Sequence, residues 1–200
     1  MLKNIVFDFG NVIMNYDPDM ILNHYNLTPK QHKLLKKEIF QSEEWQKVDA
    51  GIIDEDEATQ RFLQRVPEDL YDQVKEIMLT WPGKVEFFES VFSFMKKLKT
   101  QGYRIYGLSN TGMHFAKYVQ QSKWDDNFDG CIFSAQEKIV KPDDRIYQLL
   151  FSRYNLKPEE SLFIDDLPEN ITAARANGMQ GFVFNIKKLP ELKEFIEKQR

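Results

Sequence analysis

A single cysteine, Cys131, is present among 200 residues. That excludes an intramolecular disulfide and any zinc cluster built on thiolates. One lone thiol is the usage expected in a reducing cytoplasm. Cys131 opens the apolar stretch Cys131-Ile132-Phe133, so a packing role is expected for it. Positive charge is not in surplus either: Lys and Arg number 27 against 31 Asp and Glu, a formal net charge of -4. A nucleic-acid binder carries a basic face, so no nucleic-acid partner is expected. Clusters such as Lys96-Lys97-Lys99 fall on a helical pattern and read as a solvated face. The chain has no apolar run of membrane-spanning length. It has no secretory leader pattern, because Asp8 interrupts the first hydrophobic stretch. Repeats, low-complexity tracts and a Walker-type glycine loop are also missing, the last arguing against a nucleoside-triphosphate hydrolase. The expectation is a cytoplasmic globular chain without membrane contact, a monomer or a weak homodimer, large enough for one core and a modest insertion.

What is present begins with Lys3-Asn4-Ile5-Val6-Phe7-Asp8-Phe9-Gly10-Asn11-Val12. An apolar run with β-branched residues from Asn4 to Phe7, stopping at Asp and Gly, is the pattern of a central parallel strand at its carboxyl end. In open α/β sheets that end is where ligands bind. Taken alone, Asp8 reads equally well as a turn cap.

After this strand the character changes. Residues 15–81 contain no convincing strand and read as four or five short helices: Pro29 to Gln41, a helix capped by Ser42 and running to Ala50, one opened by the Asp54/Glu57 capping box, and one begun at Pro67 and running to Thr80. From Lys84 the pattern alternates. A helix through Phe88, Val91, Phe92, Met95 and Leu98 ends at Gly102. Strands are expected over 104–108, 130–133, 161–164 and 180–184, with helices over 114–122, 143–154 and 170–177 and from Leu189 onward. Such alternation predicts an α/β fold, a Rossmann-like doubly wound parallel sheet with right-handed crossovers. The small helical block is inserted into it, with residues 1–14 and 84–200 as core and 15–83 as cap.

Three of these strands stop at chemically capable residues: Asp8, Ser109 with Asn110, and Asp165 with Asp166. Lys141 follows a fourth. In a parallel sheet these ends converge on one edge. Three carboxylates gathered there repel unless a cation sits among them, and an oxygen-only ligand set favours Mg²⁺. A hydroxyl, an amide and a lysine opposite the metal would clamp a phosphate, leaving Asp8 to attack phosphorus. Separately, Ser109-Asn110-Thr111 also reads as a helix cap and Lys141-Pro142 as an ordinary turn; the coincidence of all four carries the inference.

In this order the four elements resemble the motifs of the haloacid dehalogenase (HAD) superfamily. Val6-Phe7-Asp8-Phe9-Gly10-Asn11-Val12 is similar to the first motif, Leu108-Ser109-Asn110 to the second, Lys141-Pro142 to the third, and Phe163-Ile164-Asp165-Asp166 through Asn170 to the fourth. The insert after motif one resembles the helical cap of subfamily I. The Asp-x-Gly-Asn-Val form of motif one, with Glu44-Trp45 and Gly51-Ile52 in the cap, resembles the branch of bacterial α-D-glucose-1-phosphate phosphatases. The resemblance implies Mg²⁺-dependent hydrolysis of a small phosphorylated substrate. Asp8 would be the nucleophile. Asp8, the backbone carbonyl of Gly10, and Asp165 or Asp166 would be the metal ligands. Ser109, Asn110 and Lys141 would hold the phosphoryl group. Glu44, Trp45, Asp49 and Gly51 are the cap positions expected to bear on substrate choice.

One departure stands out. HAD phosphatases usually carry a second Asp two residues after the nucleophile, as general acid and base; Gly10 occupies that place. Two consequences are open. The substrate has a good leaving group, as a sugar 1-phosphate does, or another residue donates the proton, with Asp17 in the hinge as candidate and helix capping as its ordinary role. A non-catalytic phosphate-binding protein on the same scaffold is the alternative function. Dehalogenation is disfavoured, since Gly10 is not aromatic and no arginine lies between Asp8 and Arg61. A two-component receiver domain is disfavoured by motif order, because its paired acids precede the phosphorylated Asp.

Overall fold

The computed structural model describes residues 1–122 and 124–199. Strand β1 (Asn4–Phe7) leads through a tight turn to the two-residue β2 (Met14–Asn15). Five helices follow: α1 (Pro18–Leu22), α2 (Pro29–Leu35), α3 (Glu43–Asp49), α4 (Glu55–Leu63) and α5 (Tyr71–Thr80). The chain then runs through β3 (Glu86–Phe87), α6 (Glu89–Thr100), β4 (Arg104–Ser109), α7 (Met113–Gln120), β5 (Gly130–Phe133) and the single-turn α8 (Ser134–Glu137). It closes with α9 (Asp144–Tyr154), β6 (Ser161–Asp165), α10 (Pro168–Ala176), β7 (Gln180–Val183) and α11 (Leu189–Glu197). Among the described residues no helix is long and apolar enough to cross a membrane.

Strands β5-β4-β1-β6-β7 form one sheet in that order, with every neighbouring pair parallel. The order reverses at β1, so the crevice of a doubly wound sheet opens at the carboxyl end of the strand that carries Asp8. Both faces of β1 are covered, which is why it reads as an unbroken apolar run. Val6 packs with Tyr106, Leu108, Ile132 and Phe163 beneath α9 and α10; Ile5 and Phe7 join the larger core on the opposite face. At the strand's start the buried Asn4 donates to Ser161 Oγ (3.0 Å) and accepts from Arg104 Nε (3.0 Å), tying three strands in register.

Local signals explain most boundaries. Thr28, Ser42 and Asp54 each cap a helix through the side chain. At Asp54 the box is only half made: Asp54 accepts the Glu57 N–H at 2.7 Å, but Glu57 turns to Arg61. Two features differ from the periodicity reading. The expected helix 29–41 leaves α geometry after Leu35 and continues as a π turn over Lys36–Phe40, a device that re-aims side chains near sites. Residues 14–15 also form a strand, antiparallel to β3 through Met14↔Phe87 and Asn15↔Glu86. Strands of two residues are too short to show a period. This ribbon draws together the two ends of the helical segment.

Candidate active site

The register dictates what meets at the sheet edge. Phe7 lies opposite Gly107 and Ile164, so the next residue of each strand brings Asp8 between Leu108 and Asp165. The Lys141 ammonium reaches in from the loop after α8, 2.7 Å from Asp8 Oδ1, 2.7 Å from Asp165 Oδ2 and 2.9 Å from the Leu108 carbonyl. Its side chain is 1% exposed, Asp8's 10% and Asp165's 0%. Burial alone would pull the Lys141 pKa down, but Asp8 and Asp165 outweigh it and hold the ammonium above its ordinary value. Burial pushes the Asp8 carboxyl up to about 7, with Lys141 opposing and Asp165 reinforcing the shift.

Oxygens of Asp8, Asp165 and Asp166 lie within 4.8 Å of one another, three carboxylates against one ammonium. This donor set fits a hard divalent cation. The two acids at the end of β6 are not equivalent. Asp165 Oδ1 accepts from Leu167 N (2.8 Å) and Asn170 Nδ2 (3.0 Å), and Oδ2 accepts from Lys141 Nζ and Asn170 Nδ2 (3.0 Å). Its lone pairs are committed. Asp166 is half-buried and accepts from Asn11 Nδ2 at 3.1 Å through Oδ2. Burial raises its pKa, with Asn11 opposing. Tyr147 steadies the arrangement from behind, its hydroxyl donating to the Asn170 carbonyl at 2.9 Å.

These groups floor a cavity of about 290 Å³ lined also by Gly10, Asn11, Tyr16, Ser109, Asn110 and Thr111, and walled on the helical side by Phe40, Trp45, Asp49 and Trp81. Ser109 is buried at the end of β4. Asn110 spends its carboxamide on the backbone of Lys141, donating to its carbonyl (2.9 Å) and accepting its N–H (2.8 Å). Asn110 therefore sets the lysine's place as well as lining the cavity. Asn11 holds a left-handed φ of 55°, which asparagine tolerates, and bridges Asp166 to the backbone N–H of Tyr16.

Asp17 does not join this group. It caps α1, accepting the Asp19 N–H at 2.8 Å, and does not line the cavity, so the expectation of a proton donor there is corrected. Pro18 sets the helix start directly after it, which turns Asp17 to capping. Of the four cap positions, Trp45 and Asp49 face the cavity. Glu44 instead pairs with Arg65 at 2.8 Å, and Gly51 packs on Ala135. The sequence reading passed over Asn11, Tyr16 and Phe40. Asn11 sits inside the first motif and was legible there; Tyr16 and Phe40 are placed by the hinge and the π turn, which carry no pattern.

The sequence profile of the haloacid dehalogenase-like hydrolases matches residues 5–184. The sesquiterpene phosphatase astK of Aspergillus oryzae is 27% identical over 90% of this chain and 88% of its own length. The D-ribitol-5-phosphate phosphatase of Bacteroides thetaiotaomicron is 26% identical over 91% of each chain. A HAD family enzyme from the same bacterium, solved in complex with magnesium and inorganic phosphate, superposes with a TM-score of 0.70 at 22% identity, over 91% of this chain and 93% of that one.

Proposed function

The chain belongs to the haloacid dehalogenase-like hydrolase family, and from that premise we propose that it is a Mg²⁺-dependent phosphatase acting on a small phosphomonoester through an aspartyl-phosphate on Asp8. The observation that carries this reading is the buried Asp8–Lys141–Asp165 chain of ion pairs at the switch point, of which Asp8 and Lys141 line the cavity. Two relatives that the chain matches over about nine-tenths of its length are phosphatases. Residues 1–14 and 84–200 serve as the catalytic core, and 15–83 as the helical cap whose Phe40, Trp45, Asp49 and Trp81 close the cavity.

The roles follow from what each group has free. Asp8, Asp166 and the Gly10 carbonyl would hold the ion, while Asp165, already saturated, orients Lys141. Bound Mg²⁺ supplies positive charge that keeps Asp8 ionised and offsets the roughly -1.5 to -2 charges of a phosphate monoester. Ser109 would hold a phosphoryl oxygen through its hydroxyl, and Asn110 and Lys141, whose side-chain donors are already paired, would join it by exchanging a contact as the phosphate enters. An Asp8 oxygen attacks phosphorus as the ester P–O bond breaks, and the bond's electron pair leaves with the alcohol oxygen. Water then attacks the aspartyl-phosphate, releasing inorganic phosphate and restoring Asp8.

The substrate is a sugar phosphate such as glucose 1-phosphate: the floor is polar and charged, while the cap wall offers aromatic faces on which a sugar ring can lie. A panel of glucose 1-phosphate, ribitol 5-phosphate and a sesquiterpenyl phosphate tests this choice, and preference for the terpenoid ester overturns it. Asp8→Asn is expected to abolish Mg²⁺-dependent hydrolysis of p-nitrophenyl phosphate while phosphate still binds. No turnover in the native chain would favour the non-catalytic binding protein, and equal turnover in that variant would take the nucleophile role away from Asp8. Asp166→Asn is expected to raise the Mg²⁺ concentration for half-maximal activity by about 10–100-fold. An unchanged Mg²⁺ dependence would move the ligand role away from Asp166.

A further inference from the structure

We propose that Asp49, on the cap, is the general acid and base of this phosphatase, replacing the carboxylate that Gly10 lacks. The inference rests on the phosphatase reading above and adds the source of the leaving group's proton.

Asp49 ends α3 and faces the same cavity as Asp8 and Lys141. Three contacts fix it to the core loops that surround the phosphate floor. Ser134 Oγ donates to the Asp49 carbonyl and accepts the Thr111 N–H at 2.8 Å. The Asp49 carboxyl takes a hydrogen bond from the Gly112 N–H. Two residues on, Gly51 adopts φ +65° with its backbone so close to Ala135 that an added Cβ would lie 2.4 Å from the Ala135 carbonyl oxygen. A side chain held this way keeps a constant position relative to the floor, as a proton donor must.

The surroundings favour the neutral form of the group. Burial pushes the Asp49 carboxyl well above the usual carboxylate range, the Gly112 N–H opposes, and the charge of Glu55 on α4 reinforces the rise. A second titratable group that feels Asp49 is Tyr16 in the hinge, whose own pKa is raised by burial and by Asp49. Among the described residues the buried Tyr16 hydroxyl has the Trp45 indole as its hydrogen-bonding neighbour, which opposes the rise of its pKa. A buried hydroxyl with hydrogen-bonding capacity to spare, beside a carboxyl whose neutral form burial favours, is a site arranged for a polar oxygen that arrives with the substrate. The alcohol oxygen of the ester is that atom.

The step balances as follows. As Asp8 attacks, the P–O bond breaks, the electron pair stays on the alcohol oxygen, and the Asp49 proton moves to it. In the second half-reaction the Asp49 carboxylate takes a proton from the water that attacks the aspartyl-phosphate, and the starting state returns.

Asp49→Asn keeps an oxygen for the Gly112 N–H but has no acidic proton. Hydrolysis of an alkyl ester such as ribitol 5-phosphate is expected to fall by about 10²–10⁴-fold. In kcat/KM, which reports only the steps through formation of the aspartyl-phosphate, hydrolysis of p-nitrophenyl phosphate, whose leaving group departs unaided, is expected to stay within about tenfold, which also reports an intact fold. Loss of the base slows the later hydrolysis of the aspartyl-phosphate alike for both esters. The alkaline limb of the alkyl-ester pH profile should vanish in the same variant. Equal losses of kcat/KM on both esters, or no loss on the alkyl ester, would overturn the assignment. A second measurement needs no variant: across aryl and alkyl phosphates, the native protein should show a shallow dependence of rate on leaving-group acidity, and a steep one would overturn the proposal. Retention of both activities by Asp8→Asn would instead sink the underlying phosphatase reading, so the two failures are distinguishable.

Discussion

Lys141→Met is expected to cut kcat/KM by about 10²–10³-fold and, in chelator, to destabilise the fold by about 3–5 kcal/mol. Among the described residues the ammonium is the one positive group paired with Asp8 and Asp165, and its side chain is 1% exposed. Methionine matches the length but leaves two carboxylates uncompensated below the cavity. Asp8 could recover by taking a proton, since burial already pushes it up to about 7. Asp165 retains Leu167 N and Asn170 as donors but loses its cation. Combining Lys141→Met with Asp165→Asn should therefore cost less than the sum of the two single changes. Thermal melts of the four proteins in chelator measure this directly. Additive losses would mean that the lysine and Asp165 do not stabilise one another.

Phe9→Ala should lower stability by about 3–5 kcal/mol and the melting temperature by on the order of 10 °C. Phe9 follows the nucleophile and is fully buried. Its ring stacks on Phe128 at 5.2 Å, meets Phe115 edge-on at 5.9 Å and leans on Phe133 at 5.6 Å. On the neighbouring strand Gly107 leaves room for it: a Cβ there would lie 2.7 Å from Phe9 Cε2. Truncation opens a hole among residues held by α7, β4, β5 and the loop before β5, which cannot all move inward. Phe9→Leu should recover part of the loss. A drop below about 1 kcal/mol would show that this site collapses more easily than close packing allows.

Residues near the motifs show what each level of description could reach. The parallel core was legible because strand and helix periods differ and because capping residues mark where each begins. Asp8, Ser109, Lys141 and the acidic pair were legible because a buried strand that stops at a polar residue is unusual. Within the pair, sequence could not rank Asp165 and Asp166. They are adjacent and identical, and differ only in that one collects Lys141, Asn170 and Leu167 while the other faces the cavity. Asp17 and Asp49 present the same contrast over a longer span. Both are acids near the cap, and Asp17 seemed nearer the chemistry because it is nearer Asp8 in the chain.

By itself, then, the sequence determined the α/β alternation, the helical insertion and the set of strand ends that bear the chemistry, since local hydrophobic period and turn residues act over a few positions. Only the tertiary structure decided which carboxylates share Lys141, which one stays available for a cation, and that Asp49 rather than Asp17 looks into the cavity. Those outcomes depend on pairings between residues scores of positions apart, where burial and a neighbouring donor, absent from any local pattern, set what a carboxyl can do.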